Sequence, residues 1–158
     1  MSLVLSPTIT EFLRKLAGDR DVEEFIAELI AERLDPPRRI ELYLKLHGDY
    51  LRAAEELYAK GDLAQAGEKY WGAVTALLNI IGERLGMPPH YSHRDLREIA
   101  SYLTEVTRDP EYTRLFSSVE TLHVNFYHSF LGRASFDAHR EDAIKLVNKL
   151  KAYLDIDA

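Results

Sequence analysis

The sequence predicts an all-α fold, an antiparallel helical bundle with a short N-terminal helical arm. Three observations carry that expectation. Apolar residues recur at steps of three and four through most segments, the spacing that lines one face of a helix. Gly, Pro and helix-capping residues punctuate those segments at short intervals. No segment shows the strict apolar–polar alternation between hairpin turns that a surface strand would carry.

The elements follow in order. Ser6-Pro7 reads as an N-cap followed by Pro in the first turn, opening a helix that runs to about Ala17 and stops at Gly18. Asp21-Val22-Glu23-Glu24 reads as a capping box for a second helix reaching about Leu34. Helices this short do not stand alone in water, so residues 1–35 are expected to form an arm docked on residues 36–158, the bundle domain. From Pro37 to Lys60 runs a long helix with Ile40, Tyr43, Leu44, His47, Tyr50, Leu51, Ala54 and Tyr58 on one face. Gly61 ends it, and Asp62 with Gln65 starts another of similar length, carrying Tyr70, Trp71, Val74, Leu77, Leu78, Ile81 and Leu85 inward. Two long helices joined by so tight a turn make an antiparallel hairpin. Ser92, with Asp95 in the first turn, caps a shorter helix to about Val106. Asp109-Pro110 opens one to about Leu131 whose inward face ends on Phe126 and Phe130. Ser135 is expected to cap the last, with Phe136, Ala143, Val147, Leu150 and Leu154 inward. The Ala54–Ala73 turn is like one tetratricopeptide hairpin, but the pattern does not recur, so a repeat array is excluded.

Composition narrows the function. A hydrophobic fraction of 46% is enough for a core. The longest uncharged run, Tyr70 to Gly82, falls short of the roughly 20 residues a membrane span needs. With no basic–apolar leader at the start, a cytoplasmic location and no membrane partner are expected. The absence of cysteine removes thiolate chemistry and cysteine-ligated zinc. Glu and Arg are plentiful while Cys is absent and Met scarce, a bias expected of a thermophile, which a melting midpoint above about 65 °C would bear out. The net charge of −6 disfavours a dedicated, non-specific DNA binder. Gly-rich phosphate loops, Ser/His/Asp sets and zinc-protease helix motifs are missing.

Four separated segments carry a family resemblance: Asp35 to Tyr43, Gly61 to Ala73, Ser92-His93, and Leu122 to Tyr127. Together, in this order, they resemble the archaeal PaREP family of the PaREP-one type, over nearly the whole chain. The resemblance implies a helical bundle and little defined biochemistry. More distantly the helix order is similar to the HEPN superfamily of small, often dimeric helical domains. Its catalytic members resemble metal-independent ribonucleases with an Arg, four to six residues, then a His before the last helix. Here His128 takes the His position, but His123 stands where the Arg would be.

His123 falls between Val119 and Phe126 in an apolar stripe and is expected to be a core histidine, bonded to His47, Tyr50, Tyr70 or Tyr127. His128 falls on the opposite face, exposed or at a subunit contact. If catalytic, the two imidazoles would serve as base and acid for attack of an RNA 2′-hydroxyl on phosphate. Five helical residues set them about 140° apart, so they would meet one phosphate only across two subunits. His90 and His93 have a metal-ligand spacing that no Cys or carboxylate pair completes, so no metal or cofactor is expected. His93, Arg94, Arg97, Asn125 and Arg133 are the ligand-binding candidates, a rim for phosphate whose arginines ordinarily pair with neighbours such as Glu98. Leu42 and Leu46 lie outside the main stripe of their helix and suggest a homodimer. The expected function is an interaction module that binds a protein partner or a nucleotide-like ligand without catalysis. The alternative is an HEPN-like ribonuclease or toxin–antitoxin component acting on RNA through His123 and His128.

Overall fold

A computed structural model describes residues 2–156. They form α1 (Pro7–Ala17), α2 (Val22–Glu32), α3 (Pro36–Ala59), α4 (Leu63–Arg84), α5 (His93–Thr107), α6 (Glu111–His128) and α7 (Arg133–Leu154). Among the described residues there is no strand, and no helix is long and apolar enough to cross a membrane.

The α3–α4 hairpin is the spine. Gly61 turns the chain at φ +80°, where a side chain would be strained, and Asp62 accepts from the Gln65 N–H to start α4. Because α4 carries the long uncharged run, it is the helix that can be surrounded, and it packs against α3, α5, α6 and α7. Tyr70, Leu77, Leu78, Ile80 and Ile81 are buried along it, meeting a core that includes Leu103, Leu122, Phe136 and Leu150. Gly67 permits a close approach to α7. A Cβ there would lie 3.1 Å from the Phe136 ring. At the far end a buried clasp ties three segments together: Glu83 receives Arg39 at 2.6 Å and the Tyr91 hydroxyl at 2.5 Å, while Arg39 also donates to the Leu34 carbonyl. Gly82 lies directly under the Tyr91 ring, where a Cβ would come within 2.2 Å.

Several expectations are corrected. α6 stops at His128, three residues early, because Asn125 turns its Oδ1 to the N–H groups of Phe130 and Leu131, each at 2.8 Å, and Ser129 adopts a left-handed conformation. Phe130 therefore points outward, 55% exposed, instead of into the core. α7 begins at Arg133 with Gly132 as its N-cap, so Ser135 lies inside the helix. Leu44 and Leu85 are exposed ends of their stripes, while Leu42 packs on the core and Leu46 faces a cavity below α2. The pair that suggested a dimer is thus covered within the chain. The free apolar surface lies instead on α1, where Ile9, Phe12 and Leu16 are exposed and the packing partner is α2.

Candidate functional site

A cavity of about 380 Å³ opens between α2 and the bundle. Its floor is α4, with Trp71, Gly72, Thr75, Ala76 and Asn79. α3 adds Tyr43, Leu46 and Tyr50, the α4–α5 loop and α5 add His90, Tyr91 and His93, and α6 adds His123 and Tyr127. The roof is α2, whose Glu24, Ala27, Glu28 and Ala31 stand at i, i+3, i+4 and i+7 and so share one face. Gly72 sets the depth. A Cβ at this position would come 3.1 Å from the Tyr50 ring and 3.4 Å from Glu24 Oε1.

One wall is an aromatic cluster. The Trp71 indole stacks on His93 at 5.3 Å and on His123 at 5.2 Å, the two imidazoles are 5.0 Å apart, and Tyr127 meets His123 edge-on. Each imidazole is backed by a carboxylate: His123 Nδ1 donates to Glu68 Oε2 at 2.8 Å and His93 Nδ1 to Glu120 Oε2 at 3.1 Å. A carboxylate only accepts, so both rings carry hydrogen on Nδ1 and leave Nε2 for other work. Arg97 clamps Glu120 with two bonds, at 2.9 and 3.0 Å. Burial alone would raise Glu120, but Arg97 and His93 outweigh it and hold the carboxyl below its usual range.

The roof differs in charge. Asp21 caps α2 through the Glu23 N–H, and Glu24 does not turn back to close a capping box. Glu24 Oε1 is instead buried without a hydrogen-bond partner, as is Asn79 Oδ1 on the floor. Burial, reinforced by Glu68 and Asp21, pushes the Glu24 carboxyl up to about 8. Tyr50 is likewise raised by burial and by Glu24, and Tyr43 goes up to about 12.

Of the sequence candidates, His93 and His123 come together in this cavity, whereas His128 sits exposed at the end of α6. Of the partners expected for His123, His47 is not used: the His47 Nδ1 bonds the Ala73 carbonyl, its Nε2 is buried without a partner, and His123 bonds Glu68 instead. Burial lowers the His47 imidazole. His90 pairs with Glu32 and diverges from His93. Arg94 pairs with Glu98, Arg133 pairs with Asp137 and stacks over Tyr58, and Asn125 is buried as the α6 cap. Glu24, Trp71 and Asn79 were not among the candidates. Trp71 is indistinguishable from core by spacing. Glu24 had a signal, two glutamates alternating with alanines on one face of α2.

The sequence pattern of the archaeal PaREP1/PaREP8 family matches residues 42–147. The chain belongs to that family. The matched segment holds the floor and walls of the cavity, from Tyr43 to Tyr127, and leaves out α2. The fold of this PaREP protein is similar to the crystal structure of a protein from Sulfolobus solfataricus. The two are 26% identical with a TM-score of 0.61, over 69% of this chain and 96% of that one. No curated protein matches the sequence.

Proposed function

We propose that this PaREP protein is a binding module that takes one small planar ligand into the cavity beneath α2 and does no chemistry on it. The carrying observation is the cavity itself: about 380 Å³, within the roughly 300–1,000 Å³ of small-molecule sites, walled by aromatic rings and holding two unspent polar atoms. Rings at Tyr50, Trp71 and Tyr127 suit a flat heterocycle of the nucleobase kind. A protein partner is the weaker fit for a recess of this size, and α1 is where one would meet the free apolar surface.

Trp71 is the only tryptophan in the chain and lines the cavity, so its fluorescence reports occupancy. Titration with nucleobases, nucleosides and neutral aromatic amides should change that fluorescence and raise the melting temperature for at least one compound. Ala27→Phe, which fills the cavity from the roof, should abolish both responses. No response to any compound at millimolar concentration sinks the reading.

A second reading rests on the His93–His123 pair. Two imidazoles at 5.0 Å, each oriented by a carboxylate, are the arrangement an acid–base step requires. For RNA cleavage without metal, this pair is a better-placed couple than His123 with the exposed His128. Purified protein would then cleave single-stranded RNA with a bell-shaped pH profile, His93→Ala and His123→Ala would abolish cleavage, and His128→Ala would not. The binding-module reading expects no cleavage.

A further inference from the structure

Charged groups that line the cavity are paired, with one exception. Asp21 holds Lys69 at 2.9 Å, Glu28 holds Arg20 at 2.8 Å, Glu32 holds His90 at 2.9 Å, and Glu68 holds His123 at 2.8 Å. Glu24 stands among them with Oε1 buried and unbonded, and Lys69, the cation acting on it, is already spent on Asp21. The other fully buried atom without a partner in the lining, Asn79 Oδ1, is also an acceptor.

Buried acceptors without a partner are complementary to N–H donors, since each costs free energy until a donor reaches it. Where one acceptor is a carboxylate flanked by Asp21, Glu28 and Glu68, the donor that gains most is a cation. Tyr127, 42% exposed, favours the same charge, as does Tyr50, which already carries Lys69 over its ring at 5.2 Å. Gly72, against which Glu24 packs, and Asn79 lie seven residues apart on α4, about 10.5 Å along its axis. The two acceptors therefore address opposite ends of an elongated ligand.

We propose that the cavity binds a small planar organic cation, an amidinium or guanidinium with a second N–H donor at its far end. The charged end bonds Glu24 and the far end bonds Asn79. This rests on the ligand-binding reading above and names the ligand class.

The assignment has a proton signature. With its carboxyl raised to about 8, Glu24 is largely protonated at pH 7, and a cation placed on it drives that proton off. The groups facing Glu24 are Asp21 and Glu28 on the arm, Tyr50 on α3, Glu68 and Lys69 on α4, and Tyr127 on α6. The four charged ones are held in the pairs given above and burial raises both tyrosines, so the other proton sources are the cavity imidazoles His90, His93 and His123, from which Glu24→Gln separates Glu24.

The test is calorimetric titration of the full chain at pH 7 with 4-aminobenzamidine and with its neutral counterpart 4-aminobenzamide, in buffers of different ionisation enthalpy. The amidine should bind at least about tenfold tighter than the amide and release about one proton. Glu24→Gln should remove both the preference and the proton release while melting no lower than the parent. Equal affinity for the two compounds, or a preference that survives Glu24→Gln, overturns the cation assignment and leaves the ligand-binding reading standing. Binding of neither overturns the cation assignment, and the ligand-binding reading then stands or falls on the neutral panel with Trp71 fluorescence.

Discussion

α2 and α4 face each other across one cavity and are held in place by different physics. α4 is buried along most of its length, with glycines at the closest contacts and apolar side chains elsewhere. α2 buries only Phe25 and Ala31 and is tacked down by Asp21–Lys69 near one end and Glu32–His90 near the other. Unspent acceptors are costly in a close-packed core, because nothing there can relax around them. At the seam between a rigid bundle and a lightly docked helix the same atoms are tolerated, and they are then available to a ligand. The core carries one such atom too, His47 Nε2 between α3 and α4, but at the seam two of them line a cavity.

The bundle side of that comparison breaks most visibly at Phe136. It is fully buried, stacked on Tyr58 at 6.1 Å and pressed against Gly67. Phe136→Ala should cost about 3–5 kcal/mol in chemical denaturation. A loss below about 1 kcal/mol would mean that the bundle is not the rigid partner. Next comes the clasp. Glu83→Ala leaves the Arg39 guanidinium, 13% exposed, without its carboxylate, and about 3 kcal/mol should go with it. An unchanged midpoint would show that the clasp is ornamental to stability.

On the arm side the sensitive variable is pH. The Glu24 carboxyl is raised from 4.5 to about 8 when α2 is docked. Between those values the undocked arm has lost the proton that the docked arm keeps. Docking therefore takes up a proton and weakens as pH rises, with the loss complete above about 8. Linkage at about 1.4 kcal/mol per pH unit sets the ceiling, and undocking of α2 relieves the strain before that ceiling is reached. Hydrogen exchange should show α2 amides less protected at pH 8 than at pH 5 once the intrinsic rate is corrected, with α4 unchanged. Glu24→Gln should flatten that dependence, and a flat profile in the parent would contradict the unpaired state of Glu24.

The smallest contrast lies within α6. His123→Ala strands the buried Glu68 carboxylate and should cost about 1–3 kcal/mol, whereas His128→Ala, at an exposed position, should stay within about 0.5 kcal/mol. Equal melting of the two variants would place His123 outside the wall.

Local rules were legible in the sequence wherever one interaction decides the outcome. The α3–α4 turn, the Ser92 cap with Asp95, and the inward faces of α4 and α7 all follow from spacing and capping chemistry. His47 was readable as buried because it lies inside a stripe, whereas His123, also in a stripe, is half-buried because its stripe borders the cavity. What escaped depends on contacts remote in sequence. Asn125 ends α6 from within the helix, and no terminal Gly or Pro announces it. Glu24 matches a capping box in letters, yet in space it belongs to a cavity whose floor lies nearly fifty residues away. The pairing of His93 with His123 requires knowing that α5 and α6 both lean on Trp71.

The joint between α2 and α3 has a consequence in time. Arg39 holds the Leu34 carbonyl, so the roof is pinned at its α3 end, while the opposite end depends on Lys69 and Asp21. On the proposed reading, a ligand whose exit needs that outer end to lift would dwell for a time set by the helix as much as by its own contacts. Association would then level off at high ligand concentration, at the rate of lifting. Added salt, which screens the partly buried Lys69–Asp21 pair only modestly, would quicken arrival and departure together by a small factor.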